Sequence, residues 1–175
     1  MKALKFLSLV LILTVVMVFA SSCYVTTGTS MKKAKGTYEL TGYSITNGKT
    51  GEVTDKIASD GIKVYLVVTG EAHGYYIYKD NDTSAYYRDV YLSYEYSEDS
   101  NKVISLTYRF DGQSADDVQK VGVTSGGLNY SRPHIKLSDQ VYSNGISMSF
   151  KKVSSATDLS FAESQLGSLP SYVQP

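Results

Sequence analysis

The chain has 175 residues, of which 42% are hydrophobic and 19% charged, and its 17 basic side chains balance 17 acidic ones. A formal net charge of zero gives no electrostatic footprint for nucleic acid, and a single cysteine cannot form an internal disulfide. The hydrophobic share is too high for a disordered chain, and the length suits one ordinary domain.

The first 22 residues have the pattern of a signal peptide. Lys2 and Lys5 precede residues 6–20, which carry no charge and are followed by small side chains. A membrane-spanning helix needs about 20 apolar residues, so this shorter stretch favours a cleaved signal peptide over the alternative, an uncleaved membrane anchor. We therefore predict that residues 1–22 are removed on export.

The segment Ala20-Ser21-Ser22-Cys23 resembles the lipobox of bacterial lipoproteins, with Ala20 where Leu is most usual and Ser22 where Gly or Ala is usual. The resemblance implies that Cys23 follows the cleavage site and carries acyl chains such as palmitate. Two or more chains anchor a protein stably, whereas one chain binds a membrane only marginally. The implied location is the extracytoplasmic face of the cell membrane or outer membrane. The alternative is a free or buried thiol beside an ordinary cleavage site.

The exported chain begins with a predicted tether. Loss of Lys2 and Lys5 leaves 15 basic against 17 acidic side chains, a net charge of −2, so no polybasic patch assists the lipid. Residues 24–35 have no apolar period and many small polar groups. We predict that residues 23–35 are the lipidated cysteine and a flexible tether.

From residue 36 to residue 153 the apolar residues mostly alternate with polar ones, which is typical of β-strands. The even positions of 86–97 are largely apolar, and the same alternation returns in 103–110 after a polar turn, which predicts an antiparallel hairpin. Further strands are predicted at about 37–45, 62–69, 74–79, 134–142 and 145–153, with one or two more between 119 and 131.

The turn Ser143-Asn144-Gly145 predicts a hairpin between the last two of these strands, because Asn-Gly is the strongest short hairpin signal. About eight short strands joined by turns predict an all-β domain, either a sandwich or a closed antiparallel barrel. Residues 154–175 form a separate tail. In it, Ser155 or Thr157 could cap a short helix that ends at Gly167 and must dock on the barrel to be stable.

The first strand opens with Gly36-Thr37-Tyr38 directly after the tether, and the last predicted strand closes in Phe150-Lys151-Lys152. This arrangement resembles the lipocalin-like (calycin) domains of bacterial lipoproteins, with Tyr38 in place of Trp. The resemblance covers residues 36–153. It implies an up-and-down β-barrel of about eight strands whose base is closed by the Gly-x-aromatic step.

The sequence offers no catalytic constellation, metal site or cofactor motif. His73 and His134 are far apart in sequence and lack paired-ligand spacing. The stretch Asp80–Ala85 lacks the Gly and the distant Glu of a calcium loop, and Gly122–Gly127 has Leu128 where a phosphate loop needs Lys, which leaves a flexible loop. We predict a protein that is not an enzyme.

Tyrosine is the remaining signal, because many of the 16 tyrosines fall within residues 75–108. One interpretation places five of them in a barrel cavity that binds a small hydrophobic or amphipathic ligand. Another has them fill the barrel core or pair across strands, as aromatic residues commonly do. These five are Tyr76, Tyr78, Tyr94, Tyr96 and Tyr108.

Three tyrosines of opposite parity, Tyr75, Tyr87 and Tyr91, could instead form an exposed patch. The sequence therefore predicts a lipid-anchored, ligand-binding barrel. The alternative function is an interaction module for a protein or a glycan, such as a surface adhesin or an inhibitor of a cell-wall enzyme. Neither the ligand nor a protein partner can be identified from the sequence.

Overall fold

The computed structural model describes residues 28–110, 119–138 and 140–173. Strands dominate it, with three short helices. The helices are α1 (Met31–Ala34), α2 (Lys56–Asp60) and α3 (Ser160–Leu166). The strands are β1 (Gly36–Thr46), β2 (Val53–Asp55), β3 (Lys63–Val68), β4 (His73–Lys79), β5 (Tyr86–Tyr96), β6 (Val103–Phe110), β7 (Gln119–Val123), β8 (Gly127–Arg132), β9 (Ile135–Lys136), β10 (Tyr142–Ser143), β11 (Gly145–Ser154) and β12 (Ser171–Tyr172).

Eight of these strands form a closed antiparallel barrel, which confirms the predicted fold class. The barrel order is β1, β3, β4, β5, β6, β7, β8 and β11, and β11 pairs with β1 to close the circle. Consecutive barrel strands are neighbours, so the topology is up-and-down. The predicted hairpin of β5 and β6 is confirmed, with Leu92 opposite Tyr108. Closure removes the free sheet edges that an open sheet of this length would expose.

Alternation directs one set of side chains into the barrel. In β3, for example, Val64, Leu66 and Val68 join the interior core. A bulge in β1 between Leu40 and Gly42 adds one residue, which shifts the alternation and brings Tyr43 to the same inner face.

The barrel has two ends, the base and the upper end. The base is the end at which β1 starts and β11 stops, and it includes Gly36 and Val103. The upper end is the opposite one, and it includes Thr46, Phe110 and Arg132.

Residues 28–35 pack against the base and do not form a free tether, which corrects the predicted boundary. Thr29 exchanges two backbone hydrogen bonds with Val103, at 3.0 and 2.8 Å. Ala34 is only 3% exposed, and its carbonyl accepts a 2.7 Å hydrogen bond from the buried Tyr38 hydroxyl. Met31 packs against the same core. The segment is ordered because it covers apolar side chains that the open barrel end would leave in water.

Gly36 permits the close approach of β1 and β11 at the base. Its φ is +137°, and a Cβ atom there would lie 2.3 Å from the carbonyl oxygen of Ser154. The Gly36-Thr37-Tyr38 step therefore has a physical role at this end: the glycine closes the strand pair and the tyrosine ring fills the space beneath α1.

The predicted Asn-Gly hairpin is wrong. Residues 142–143 pair with Ile135–Lys136 as a separate two-stranded ribbon, and β11 begins at Gly145. Both edges of β11 are taken by β1 and β8, so the segment before it cannot pair with it. The Asn144 side chain instead accepts a 2.9 Å hydrogen bond from the Gly48 amide.

The C-terminal segment docks on the outside of the barrel wall, as predicted. Ala162 of α3 is completely buried against outward-facing side chains of β3 and β4, which include Val67 and Ile77. The helix ends at Gly167, whose φ of +71° suits glycine. Its N-cap residue, however, is Leu159 and not Ser155 or Thr157, and the Asp158 carboxylate just before it accepts a 3.0 Å bond from the Ser160 amide.

Candidate functional site

Aromatic side chains line the inner wall toward the upper end of the barrel. The Tyr76 ring stacks on Tyr108 with 6.2 Å between centroids and meets Phe110 edge-on at 5.0 Å. Tyr78 and Tyr86 contact each other at 5.5 Å. Such pairs contribute about 0.5–1.5 kcal/mol each beyond the area they bury, so this cluster is held in a defined arrangement.

The inner wall is covered at the base and partly exposed at the upper end. Toward the base, the inner residues Val103 and Val121 have no exposed surface. At the upper end Val64, Val90 and Tyr108 are buried, but many other inner residues are only half-buried. Those half-buried residues are Tyr43, Tyr78, Tyr86, Arg88, Phe110, Gln119, Tyr130 and Met148.

Burial keeps the inner tyrosines protonated. It raises the pKa of Tyr76 and of Tyr108 well above the ordinary value of 10.0. Burial, with the 2.9 Å bond that its hydroxyl donates to Asp80, raises the pKa of Tyr78 to about 12. These hydroxyls therefore remain neutral hydrogen-bonding groups across the physiological range.

Four of the five tyrosines predicted to line the interior lie on its inner face, and one does not. Tyr76, Tyr78 and Tyr108 belong to the aromatic cluster, whereas Tyr94 faces inward nearer the base, where its hydroxyl donates to the Glu71 carbonyl at 3.2 Å. Tyr96 is 47% exposed. The register between β5 and β6 shifts at this point, so the alternation that predicted an inward Tyr96 no longer holds.

The predicted outer tyrosine patch is not contiguous. Tyr75 and Tyr87 contact each other and pack under the C-terminal segment, with Tyr172 at 5.2 Å from Tyr87. Tyr91 is 38% exposed and lies against His73, 4.9 Å between ring centroids. The C-terminal segment thus covers Tyr75 and Tyr87, two of the three tyrosines that the sequence placed in an exposed patch.

A depression of about 360 Å³ lies along the walls of β5, β6, β7 and β8. Glu95 lies on it, bonded to Lys120 at 2.7 Å and to the Ser105 hydroxyl at 2.6 Å. The bond to Lys120, then that to Ser105, lowers the pKa of the Glu95 carboxyl. Gly122, which has no side chain, forms part of its lining. The charges there neutralise one another, so the depression offers no free charge to a ligand.

Other sequence features have structural roles. His73 lies at the base end of β4, whereas His134 lies near Gly145 at the upper end, so the two histidines do not meet. Asp80 accepts bonds from the amides of Asp82 and Thr83, which makes its stretch a turn. The predicted flexible loop is instead the tight turn of the β7–β8 hairpin, closed by Thr124 and Gly127 at 2.9 Å.

Two inner residues were not identified as site residues from the sequence: Arg88 and Gln119. Arg88 occupies an even position of β5, the parity of Val90 and Leu92, which point into the core. A charged residue at a position where the alternation predicts an apolar one is the sequence signal that could have identified Arg88. Gln119 pairs with Tyr108 and has the parity of the buried Val121. That position lay at the edge of a region in which the sequence did not define the strands.

The predicted signal peptide and Cys23 lie outside the residues that the structure describes. Within residues 28–110, 119–138 and 140–173, no helix has the length and apolar character needed to cross a membrane. Comparison of the chain with protein-family models, with characterised proteins and with solved structures finds no match. The fold and the site thus define the protein as an eight-stranded up-and-down β-barrel with an aromatic upper end.

Proposed function

We propose that this protein is a lipid-anchored lipoprotein of the bacterial envelope whose barrel binds a small amphipathic molecule and catalyses no reaction. One observation carries the binding proposal: several inner aromatic side chains of the upper end, among them Tyr78, Tyr86 and Phe110, are only half-buried, while residues 28–35 cover the base. An inner wall that is apolar and still accessible is a favourable place for a ligand that would otherwise expose apolar surface to water.

The chemistry of this wall suits an amphipathic molecule. The half-buried rings of Tyr78, Tyr86 and Phe110 offer apolar faces, and Phe110 is backed by the rings of Tyr76 and Tyr108. The half-buried Tyr78 hydroxyl on the same wall donates its proton to Asp80 and can still accept a hydrogen bond from a ligand. A ligand with both an apolar body and a polar group would use both features.

If Cys23 carries lipid, the place where the chain joins the barrel determines which end of the barrel faces the membrane. The Gly28 amide donates to the Val123 carbonyl at the base, at 3.3 Å. Residues 24–27 separate it from Cys23, and five residue steps span about 18 Å at most. Under this proposal the base faces the membrane, and the upper end faces away from it and is open to ligands.

Photo-crosslinking in the native host tests the binding proposal. A benzophenone amino acid is placed at Tyr86, on the inner face of β5, and in a matched control at Tyr91, on its outer face. After irradiation, mass spectrometry of the chain should show a small-molecule adduct at position 86 and none at position 91.

Two outcomes would contradict the binding proposal. If position 86 gives no small-molecule adduct in cells grown under several conditions, the barrel does not carry a ligand there. If position 91 instead crosslinks to a protein or a glycan, the interaction module is the better function. Equal small-molecule labelling at both positions would mean non-specific contact with lipid and would equally count against the proposal.

Metabolic labelling with an alkyne analogue of palmitate tests the anchor. The wild-type chain should be labelled and recovered in the membrane fraction, and Cys23→Ser should lose the label. Ser22→Ala is the control, since it preserves the thiol and keeps a small residue before it. Labelling of the Cys23→Ser chain at the wild-type level would show that Cys23 is not the lipidated residue.

A further inference from the structure

Arg88 is a charged side chain of the inner wall, and no ion pair within residues 28–110, 119–138 and 140–173 involves it. It lies directly opposite Tyr76 on the neighbouring strand and shares its inward parity with Val90 and Leu92. Its guanidinium carbon lies 4.8 Å from the centre of the Phe110 ring. Arg88 is therefore part of the aromatic upper end and not of the outer surface.

The partners of Arg88 are insufficient for a half-buried cation. Its Nε atom is buried and has no hydrogen-bond partner among the described residues. The ion pairs found in that part of the chain, Lys56 with Asp60 and Lys120 with Glu95, do not involve it. A cation–π contact contributes about 0.5–2 kcal/mol and satisfies none of the five N–H donors of a guanidinium.

A second polar group of the same wall also lacks a partner. The Oε1 atom of Gln119 is buried without a hydrogen bond among the described residues, and this residue pairs with Tyr108 of the aromatic cluster. Buried polar atoms are nearly always bonded in proteins, so two such atoms without partners on one inner wall are unusual. The Arg88 Nε–H needs an acceptor and the Gln119 Oε1 needs a donor, so an anionic group that enters beside the rings would satisfy Arg88 and not Gln119.

We infer that Arg88 binds the anionic headgroup of an amphiphile whose apolar part lies against the aromatic rings of the upper end. Arginine is suited to this because its planar donors bind a carboxylate or a phosphate ester in pairs. The inference rests on the proposed ligand-binding function and deepens it, since it adds the charge of the ligand's headgroup.

The chain offers a matched control for Arg88. Arg109 also lies over a tyrosine ring, with its guanidinium carbon 5.1 Å from the Tyr91 centroid, but it is exposed on the outer face. The two arginines thus have the same charge and a similar aromatic contact and differ in the face of the wall on which they lie. A requirement for charge alone would affect both, whereas a site inside the barrel would affect only Arg88.

Calorimetric titration of the full chain in nanodiscs of neutral lipid, corrected against empty nanodiscs, tests the inference. The probes are octanoate, octanol and octylamine, which share a chain length and differ in charge. We expect the wild-type chain to bind octanoate about tenfold more tightly than octanol and octylamine more weakly still, as a hydrogen bond to a charged group implies. Arg88→Gln should lose that tenfold preference, and Arg109→Gln should keep it.

The outcomes separate the inference from the function on which it rests. Equal affinity for octanoate and octanol, unchanged by Arg88→Gln, would overturn the inference and leave a barrel that binds neutral ligands. No heat above empty nanodiscs with any probe would count against the barrel as a site for such molecules, and with it against the inference. If Arg88→Gln does not fold by circular dichroism, Arg88→Lys takes its place and should keep the order of the three affinities. A reversed order would overturn the inference.

Discussion

The two ends of the barrel are built from the same strands but differ in how their inner side chains are covered. At the base, residues 28–35 lie across the opening, and Leu128 and its neighbours are buried as in any tightly packed core. At the upper end the inner residues are larger, mostly aromatic and half-buried, and one of them is the charged Arg88. The difference suggests a division of roles: the base supplies stability, and the upper end keeps surface available for a ligand.

Truncation of one inner side chain at each end of the barrel should give the largest difference in the free energy of unfolding. Leu128→Ala at the base should lower the free energy of unfolding by about 2–5 kcal/mol, because the removed atoms are fully buried and leave a cavity. Met148→Ala, near the upper end of the adjacent strand β11, should cost less, since Met148 is already half-buried. Urea denaturation of both variants measures the difference.

Equal losses in the two truncations would mean that the upper end is packed as tightly as the base. In that case the half-buried side chains there would not indicate an opening, and the binding proposal would lose its main support.

A pair of glycine substitutions tests the close approach at the base. In Gly36→Ala the new Cβ would meet the Ser154 carbonyl at 2.3 Å in addition to adopting a φ of +137°, and we expect a loss of about 2–3 kcal/mol. Gly51→Ala, in the turn beyond the upper end, meets no atom within 4 Å and should cost only about 1 kcal/mol for its φ of +74°.

Thermal or urea unfolding of the two alanine variants gives these values. A Gly36→Ala chain as stable as the Gly51→Ala chain would show that β1 and β11 can separate at the base without cost, so that the closure there is not a main source of stability.

Alternation is local and repeated, so it predicted an all-β domain of about eight strands, either a sandwich or a closed barrel. The up-and-down barrel itself was implied by the lipocalin-like resemblance at Gly36-Thr37-Tyr38, because closure is a long-range pairing of β1 with β11. Turn chemistry was less informative: Asn144-Gly145 is a strong hairpin signal, yet β1 and β8 occupy both edges of β11. The inward parity of Tyr96 failed for a similar reason, since a register shift is decided by the partner strand. Local pattern thus predicts which residues form strands, whereas long-range pairing decides which edges remain free.

The candidate site could be predicted only in part. Tyr76 and Tyr108 followed from parity, because both lie in the middle of regular strands. That the buried Arg88 Nε atom has no hydrogen-bond partner among the described residues depends on what the other strands place around it, and no single strand carries that information. The covering of Tyr87 by Tyr172 likewise joins residues far apart in the chain.

An effect confined to alkaline pH is a dependence of stability on pH that Tyr38, at the base, should help to produce. Burial raises the pKa of Tyr38 from 10.0 to about 12. Below pH 10 the residue is neutral in both states, and above it the unfolded chain ionises first. Stability should therefore fall as the pH rises from 10 to about 12, by about 1.4 kcal/mol per pH unit for this residue.

The variant Tyr38→Phe isolates this contribution. Near neutral pH it should be less stable than the wild type by about 1 kcal/mol, because it loses the hydrogen bond to the Ala34 carbonyl. The deficit should shrink and then reverse as the pH approaches 12, since phenylalanine has no proton to lose. Leu128→Ala removes no titrating group, so its own deficit should stay constant over the same range. Urea denaturation at a series of alkaline pH values measures both, and a constant deficit for Tyr38→Phe would show that the base does not hold this hydroxyl protonated.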